Sequence, residues 1–529
     1  MRRTTAMGLL LVLITAFALT PARATDPPTV YKVGAAKRSI NPDPDGTFAG
    51  KPVYLGGYGI GSGGLWDAGG LSRPAATGIL GPGIFARAFV VSPDDNPAHA
   101  LVLTSIETQG FFVAYQQGPY GVEDMRKAVQ ETVGIPAEQV IIGANHSHAG
   151  PDTLGVWGGV PTEYLQYIKD QTIGAIADAW GAHKDATLWF GTAEANPGGD
   201  DNLISNQFGD DPANTTMDSE LRVLQARDPS DGKAFATMLN LSAHPTVMGG
   251  DNTLVSADWP GPAAVDLAAQ YGGEAVVVEG AIGRSQPNDG PSFNSTECGP
   301  KEDLARDYCA VEHYAGRVVA RANDALEHAE ALTGPAVVNG HSYLIVDAGH
   351  NAILLGAMVA GSVIGVPIQR SILPPWSAGN LIGTVTFSAR IGDLLFSGGP
   401  GELYPQIPAT VSAATPGMKG HFVFGLAGDT LGYIIAPFPD AYPEPMRQSL
   451  FDGDQSDPTT WGFDPIGNDN YFFNVSHTLG ERVACSLLRG AGEVTGVGSA
   501  LWSARAQCAA FANDAALPAG ADTLAPTTP

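Results

Sequence analysis

The chain has 529 residues and a formal net charge of −26, from 28 basic and 54 acidic side chains. A surface this acidic repels nucleic acid and anionic lipid headgroups, so we expect no nucleic-acid partner. With 44% hydrophobic residues the chain can bury one large core or two ordinary ones, and its 67 glycines and 40 prolines predict many loops.

Residues 1–24 have the pattern of a signal peptide. Two arginines precede the apolar run from Met7 to Leu19, and Ala22-Arg23-Ala24 fits an A-x-A cleavage site. No later segment has eighteen uninterrupted apolar residues, so we expect no integral membrane segment. We therefore predict a secreted protein, in a periplasmic or extracellular compartment.

Apolar periodicity places the secondary structure in chain order. The predicted strands are Thr29–Ile40, Arg87–Val91, Ala100–Ile106, the apolar run that begins at Val140, Ala186–Ala195, Ala234–Leu241, Ala275–Glu279, Ile391–Ser397 and Phe422–Leu426. The predicted helices are Val122–Val133, Tyr164–Trp180, Pro260–Tyr271 and Glu302–Leu332.

The succession of strand, helix and strand is typical of an α/β layer, and strands dominate again from Val337 to Phe424. We therefore predict a mixed α/β (α+β) domain over residues 25–508, with a large mixed sheet and loops that form a cleft. The Gly-rich run from Gly56 to Gly70 lacks the strand-then-helix context of a phosphate loop and is interpreted as a wall of that cleft. We expect residues 509–529 to form a disordered tail, because they have too little apolar content to fold alone.

The four cysteines of an exported chain are expected to be paired. Four cysteines allow three connectivities, and their spacing does not match a metal site. We favour the pairs of sequence neighbours, Cys298 with Cys309 and Cys485 with Cys508.

Two histidines one residue apart follow the predicted strand at Val140. His146 and His148 precede a chain break at Gly150-Pro151, and residues at i and i+2 of an extended chain share a face. Both imidazoles could therefore reach one site beyond the strand. For an isolated His-x-His, the simpler alternative is that both histidines hydrogen-bond the following loop. Glu107 closes an earlier strand, where it could support a metal-bound histidine or, more simply, lie in solvent.

Other residues of ligand type also follow predicted strands. His244 comes after Ala234–Leu241, Glu402 after Ile391–Ser397, and Tyr433 after Phe422–Leu426. Together with His146 and His148 they could bind Zn²⁺, which accepts imidazole nitrogen and carboxylate oxygen. Spacing alone does not establish this site, because most of these groups lie far apart in the chain.

Several short motifs in one order resemble the neutral ceramidases (neutral/alkaline, non-lysosomal). Asn145-His146-Ser147-His148-Ala149-Gly150-Pro151 is similar to the family's His-Thr-His-Ser-Gly-Pro, and Ala243-His244-Pro245-Thr246-Val247-Met248 to its His-Pro-Thr-Ser-Met. Val255-Ser256-Ala257-Asp258-Trp259-Pro260-Gly261, Pro400-Gly401-Glu402 and Gly432-Tyr433-Ile434 resemble three further segments. The resemblance extends from about Tyr31 to Gly490.

This resemblance implies a zinc amidase of sphingolipid metabolism. His146, His244, Glu402 and Tyr433 would be the zinc ligands, and His148 would lie beside the substrate carbonyl, where it could stabilise the oxyanion or pass a proton to the leaving nitrogen. The reaction would release a fatty acid and a sphingoid base from a ceramide-like substrate.

The chain departs from the family where substrate would bind. The family's Gly-Asp-Val-Ser-Pro-Asn, with its serine important for catalysis, aligns with Gly283-Arg284-Ser285-Gln286-Pro287-Asn288. Either Ser285 serves from one residue earlier, or Gln286 orients the carbonyl, or the turn has no chemical role. Ser205 stands where the family has an arginine that contacts substrate, and Ala436–Tyr442 replaces its paired glutamates. We also expect no C-terminal immunoglobulin-like domain.

The zinc motifs thus match better than the substrate motifs. Three hypotheses follow: a zinc amidohydrolase for ceramide-like lipids, a hydrolase of another amide or ester with an altered pocket, and a catalytically silent zinc-binding homologue. The expected partner is a small-molecule or lipid amide, and the sequence does not indicate an oligomeric state. A deep apolar funnel would favour the lipid substrate.

Overall fold

The structure is a computed structural model that describes residues 26–58, 73–207, 216–294, 298, 304–352, 354–356, 381–435, 473–476, 478–497 and 508. The predicted signal peptide and C-terminal tail lie outside the described residues.

The strands and helices of the described chain are named in chain order. The strands are β1 (Val30–Ser39), β2 (Thr47–Phe48), β3 (Lys51–Pro52), β4 (Gly78–Ile79), β5 (Phe85–Ser92), β6 (Leu101–Ile106), β7 (Val140–Ala144), β8 (Lys184–Glu194), β9 (Ile204–Asn206), β10 (Glu220–Arg227), β11 (Ala234–Leu241), β12 (Leu254–Val255), β13 (Glu274–Glu279), β14 (Ser285–Pro287), β15 (Glu330–Ala331), β16 (Val338–Ala348), β17 (Leu381–Ile391), β18 (Leu394–Gly398), β19 (Glu402–Leu403), β20 (Gly420–Phe424) and β21 (Tyr433–Ile434). The helices are α1 (Val122–Val133), α2 (Thr162–Gly181), α3 (Pro260–Tyr271), α4 (Gly290–Phe293), α5 (Leu304–Glu327), α6 (Gln406–Ala414) and α7 (Leu479–Thr495).

The largest sheet has nine strands in the order β13-β11-β10-β8-β1-β5-β6-β7, with β15 paired to β8. The pairs β11/β13 and β6/β7 are parallel, and the other pairs are antiparallel. This confirms the predicted large mixed sheet. Helix α2 packs on β1 and β5, while α3 and α5 pack on the strands at the other end.

This sheet curls, so that strands distant in its hydrogen-bonded order come together. Edge strand β13 contacts β5, β6 and β7. Lys37 Nζ of β1 lies 2.9 Å from Glu274 Oε2 of β13, and the Arg87 guanidinium donates to the carbonyl oxygen of Ala275 at 3.3 Å. The curl therefore brings the carboxyl ends of β7 and β11 to the same region of the molecule.

A second sheet, β16-β17-β18-β20, packs against the face of the large sheet opposite the helices. Their shared core combines large-sheet side chains with those of the second sheet, among them Phe89, Ile141, Phe190, Met238, Phe387, Phe396 and Phe422. Helix α7 covers β16 and β17 on the far side. Both sheets thus end in the same region, where the short pair β19/β21 follows the second sheet.

The predicted elements agree with the structure where periodicity was strong. Helices α1 and α3 and strand β11 have the predicted bounds. The predicted helix Glu302–Leu332 is too long, because α5 ends at Glu327 and the chain then pairs with β8 as β15. The predicted strand Ile391–Ser397 is instead the end of β17, a turn and most of β18.

Several elements were not predicted, among them strand β10 and helix α7. Strand β10 is buried along most of its length yet carries Arg222 and Gln225, which interrupt its apolar pattern. Arg222 is tolerated there because it forms an ion pair with Asp218 at 3.0 Å. Helix α7 has a buried apolar face but was not recognised in the sequence.

Both predicted disulfides are confirmed: Cys298 is bonded to Cys309 and Cys485 to Cys508. They attach neighbouring segments to α5 and α7, respectively. Among the described residues, no helix combines the length and the apolar character that crossing a bilayer requires.

Candidate metal centre

His146 and His148 lie in a tight turn that begins where β7 ends. His146 adopts a left-handed conformation, with φ of 62°, which is rare for a residue other than glycine. The Asn145 Oδ1 atom accepts from the Ser147 amide at 3.1 Å, and the Ser147 hydroxyl donates to the carbonyl oxygen of Ser256 at 2.7 Å. The expectation that the two histidines share a face of an extended strand is therefore wrong. The anchored turn, rather than strand alternation, brings both rings to one place.

The other predicted ligands arrive from different parts of the fold. His244 follows β11, three residues after Leu241. Glu402 and Tyr433 face each other in the parallel register of β19 and β21. All five of these side chains, His148 included, line one cavity of about 570 Å³.

The Glu402 carboxylate lies between two of the imidazoles. Its Oε1 atom is 3.6 Å from His146 Nε2, and its Oε2 atom is 2.9 Å from His244 Nε2. Ligand atoms about 2.1 Å from a tetrahedral zinc would lie roughly 3.4 Å from each other. These two separations lie on either side of that value, so the three groups are spaced for one metal ion.

Hydrogen bonds to the backbone determine the tautomers of His146 and His244. The Nδ1 atom of His146 lies 2.6 Å from the carbonyl oxygen of Gln109, and that of His244 lies 2.7 Å from the carbonyl oxygen of Ser285. A carbonyl can only accept, so each Nδ1 carries a proton, and in the neutral ring each Nε2 then presents a lone pair. A lone pair held in this way is the usual arrangement of metal-binding histidines.

His148 has the opposite tautomer. Its Nδ1 atom accepts from the Tyr58 amide at 3.0 Å, so the neutral ring carries its proton on Nε2. That Nε2 atom is buried and has no hydrogen-bond partner. Gly57 allows the contact, because a Cβ atom there would lie 2.3 Å from the His148 ring. His148 is therefore a donor that faces the cavity.

Two ligand sets are compatible with the spacing alone. The ligand atoms of His146, His148 and His244 lie within 4.8 Å of one another, so this group of three could hold a metal ion. The second set replaces His148 with Glu402 and Tyr433. The tautomers favour the second set, because a protonated Nε2 has no lone pair to offer.

Burial and charge keep these groups in the forms that bind a cation. Burial lowers the pKa of His146 to about 4, although Glu402 acts in the opposite direction. Burial also places the pKa of His148 well below its ordinary value. For Glu402, burial acts to raise the pKa, but His146, His244 and Tyr433 together outweigh it and lower the pKa. Near neutral pH these two imidazoles are neutral and the carboxylate is ionised.

Gln286 and Ser285 lie on opposite sides of strand β14. Gln286 lines the cavity, and its Oε1 atom accepts from the Thr246 hydroxyl at 2.7 Å. Ser285 is fully buried, is absent from the cavity wall, and its hydroxyl has no hydrogen-bond partner. Ser285 meets the site through its carbonyl oxygen, which accepts from His244. Ser205, opposite Gln286 in the β9/β14 pair, also lines the cavity.

Three residues around the centre have orienting roles that the sequence did not reveal. Gln109 supplies the carbonyl that orients His146, and Tyr58 supplies the amide that orients His148. Gln207 donates from Nε2 to the Tyr433 hydroxyl at 2.6 Å. Two of these partners act through the backbone, which no side-chain motif reveals, and all three come from loops or strand ends remote in sequence.

Two other sequence expectations concern the edges of the site. Gly57 and Tyr58, from the start of the Gly-rich run, line the cavity as predicted, while residues 59–72 and Ala436–Tyr442 lie outside the described residues. Glu107 is neither solvated nor bonded to a histidine. It is buried, with its carboxylate 2.6 Å from Arg87 Nε and 2.7 Å from the Phe85 amide. These contacts join the end of β6 to the start of β5.

No family model matches the chain, and no curated protein matches it significantly. Among solved structures, it resembles neutral ceramidase from Pseudomonas aeruginosa, with a TM-score of 0.63 and 17% identity over 90% of this chain and 75% of the other. It also resembles a ceramidase complexed with C2, with a TM-score of 0.63 and 16% identity over 88% and 76% of the two chains. The chain therefore has the fold of the neutral ceramidases.

Proposed function

We propose that this protein is an exported zinc-dependent amidohydrolase that cleaves the N-acyl bond of an amide. The observation that carries the proposal is the difference in tautomer among the three histidines: two offer lone pairs beside a carboxylate, and the third offers a proton donor to the same cavity. The ceramidase fold supports the reaction class and makes ceramide-like amides the first substrates to test.

In this proposal the metal is held by His146, His244, Glu402 and Tyr433. Imidazole nitrogen and carboxylate oxygen are ordinary zinc ligands, and the fixed tautomers and ionised carboxylate suit a divalent cation. When bound, zinc would polarise the amide carbonyl and lower the pKa of water. Gln207 holds the Tyr433 hydroxyl in place for this role.

The remaining polar groups act on the substrate. His148 donates from Nε2 to the oxygen that gains negative charge, or passes that proton to the leaving nitrogen. Since the Thr246 hydroxyl occupies Gln286 Oε1, the Gln286 Nε2 hydrogens are the ones available to a substrate oxygen. Ser285 orients His244 through its backbone and takes no part through its hydroxyl.

Export is part of the proposal. The two disulfides are typical of an oxidising compartment, and they agree with the signal-like pattern of residues 1–24. The substrate would therefore be encountered outside the cytoplasm.

Metal analysis and turnover together test the function. We expect about one zinc per purified chain and hydrolysis of at least one member of a panel of ceramides and short N-acyl amines. Chelation should abolish the activity and added zinc should restore it, while His146→Ala should neither bind zinc tightly nor turn over. A chain without zinc that is indifferent to chelators would overturn the metal site. Bound zinc without turnover of any amide would make the protein a metal-binding homologue.

A further inference from the structure

The cavity beside the metal centre has a polar wall. We use that term for Ser205, Gln207, Thr246, Gln286 and Asp289, which all line the cavity. These groups present hydroxyl, amide and carboxylate oxygens and amide N–H donors. No lysine or arginine is found among the described lining residues. Such a wall suits a hydroxylated or cationic amine better than a hydrocarbon chain, which gains only from apolar contact.

A second, apolar space opens from the other side of the centre. This acyl recess is lined by Phe112, Leu154, Val156, Leu431 and Val475, and its volume is about 50 Å³. A water-sized group needs about 10 to 15 Å³ of such volume. The recess therefore has room for roughly four heavy atoms, the size of a short acyl chain.

The position of His148 gives the two spaces different roles. His146 and Glu402 line both the recess and the main cavity. In the described part of the chain, His148 lines the main cavity but not the recess. An amide carbonyl at the centre with its acyl carbons in the recess would direct its nitrogen towards the main cavity. There the His148 Nε2 proton can reach that nitrogen as it leaves.

We propose that the substrate is a short-chain N-acyl derivative of a polar amine, with the acyl group in the recess and the amine against the polar wall. The proposal rests on the amidohydrolase function. Water is consumed as the C–N bond breaks: its oxygen forms the new bond to the acyl carbon, giving a short carboxylate, and both of its protons pass to the nitrogen, which leaves as an ammonium group. Ceramide, with a long acyl chain and a long-chain base, is then a poor substrate.

Each methylene that enters an apolar recess is worth roughly fourfold in affinity. A series of N-acylglucosamines from acetyl to hexadecanoyl should therefore gain about fourfold in kcat/KM per carbon as far as about four carbons. Beyond that length the chain must remain outside the recess, and we expect a fall of about tenfold by octanoyl. The same series on sphingosine should be hydrolysed about a hundredfold more slowly.

The recess can be altered by one conservative truncation. Val156 is only partly buried, so Val156→Ala should fold and shift the preferred acyl length upward by one or two carbons. Val160→Ala is the matched control, since Val160 is buried nearby but does not line the recess. It should leave the preferred length unchanged.

Binding provides a readout that does not depend on turnover. N-butylglucosamine and N-octylglucosamine lack the scissile carbonyl, and their affinities for the zinc-loaded protein can be measured by calorimetry. We expect the butyl compound to bind about tenfold more tightly, and Val156→Ala to reduce that ratio. Preferential hydrolysis of long-chain ceramide would overturn the substrate assignment but leave the amidohydrolase proposal intact. If no amide is hydrolysed, the amidohydrolase proposal is wrong. Tighter binding of the octyl compound than of the butyl compound would separately overturn the recess assignment.

Discussion

The three clustered histidines should respond differently when each is replaced with alanine. His146→Ala and His244→Ala each remove an Nε2 atom that lies beside the Glu402 carboxylate and is a proposed zinc ligand, so both should lose tightly bound zinc. His148→Ala removes a donor whose Nε2 carries a proton, so it should retain zinc and lose activity. The same substitution at three neighbouring positions thus separates ligand from donor.

The magnitudes follow from the contacts. His148 contributes one N–H donor, and removal of one such donor from an oxyanion site costs about 10²- to 10³-fold in kcat, or about 2.7 to 4 kcal/mol. Loss of a ligand acts on stability as well, because zinc at a thousand times its Kd stabilises the folded state by about 4.1 kcal/mol. His146→Ala and His244→Ala should lose most of that stabilisation, whereas His148→Ala should keep it.

The assay combines zinc content by mass spectrometry, thermal unfolding with and without zinc, and kcat on an N-acyl amide. His421→Ala is the control, since His421 is another buried histidine and does not line the cavity. It should retain both zinc and activity. If His148→Ala loses zinc as readily as His146→Ala, the three-histidine ligand set is correct and the tautomer argument is wrong. Unchanged kcat in zinc-loaded His148→Ala would refute the donor role.

Three further substitutions test the surroundings. Glu107→Gln leaves the buried Arg87 charge without its partner, so the free energy of unfolding measured with urea should fall by about 3 to 5 kcal/mol; a loss under about 1 kcal/mol would contradict the buried pair. Gln207→Leu removes the bond to Tyr433, and chelator competition should show zinc affinity lower by about 10- to 100-fold, whereas unchanged affinity would exclude a positioning role. Burial lowers the pKa of His421 from 6.5 to about 3, so the folded state binds fewer protons than the unfolded state between these values. The contribution of His421 to stability is therefore present near pH 7 and is lost as the pH falls towards 3. Between pH 7 and 4, His421→Gln should lose less free energy of unfolding than the unmodified chain. Equal losses in the two proteins would refute the pKa shift.

The large mixed sheet could be predicted because its strands and helices have strong periodicity. Strand β10 could not, since a buried Arg222 looks like a surface residue until its partner Asp218 is placed beside it. The prediction for Glu107 failed for the same reason. A carboxylate after a strand is usually solvated, and only the pairing of the strands brings Arg87 beside it. Buried ion pairs depend on contacts that local patterns do not contain.

At the centre, the short motifs led to the residues that the structure brings together, while their supporting contacts were missed. Gln109 and Tyr58 orient the histidines with backbone groups, which a residue of any type could provide. His146 reaches the site through a left-handed turn that strand alternation did not indicate. The alternation across β14, by contrast, was informative, since the structure places Ser285 and Gln286 on opposite sides.

The proposed ligands come from both sheets, and this would affect how the protein acquires a metal. His146 and His244 follow strands of the large sheet. Glu402 and Tyr433 follow strands of the second sheet and lie much later in the chain, so long loops separate the two pairs of ligands. Closing such long loops is entropically costly and slow, so the ligands meet only after the two sheets have docked. Metal uptake is then a late step that cannot nucleate folding. Once bound, the ion would act as a cross-link between the sheets and slow their separation, which would prolong the lifetime of the folded protein.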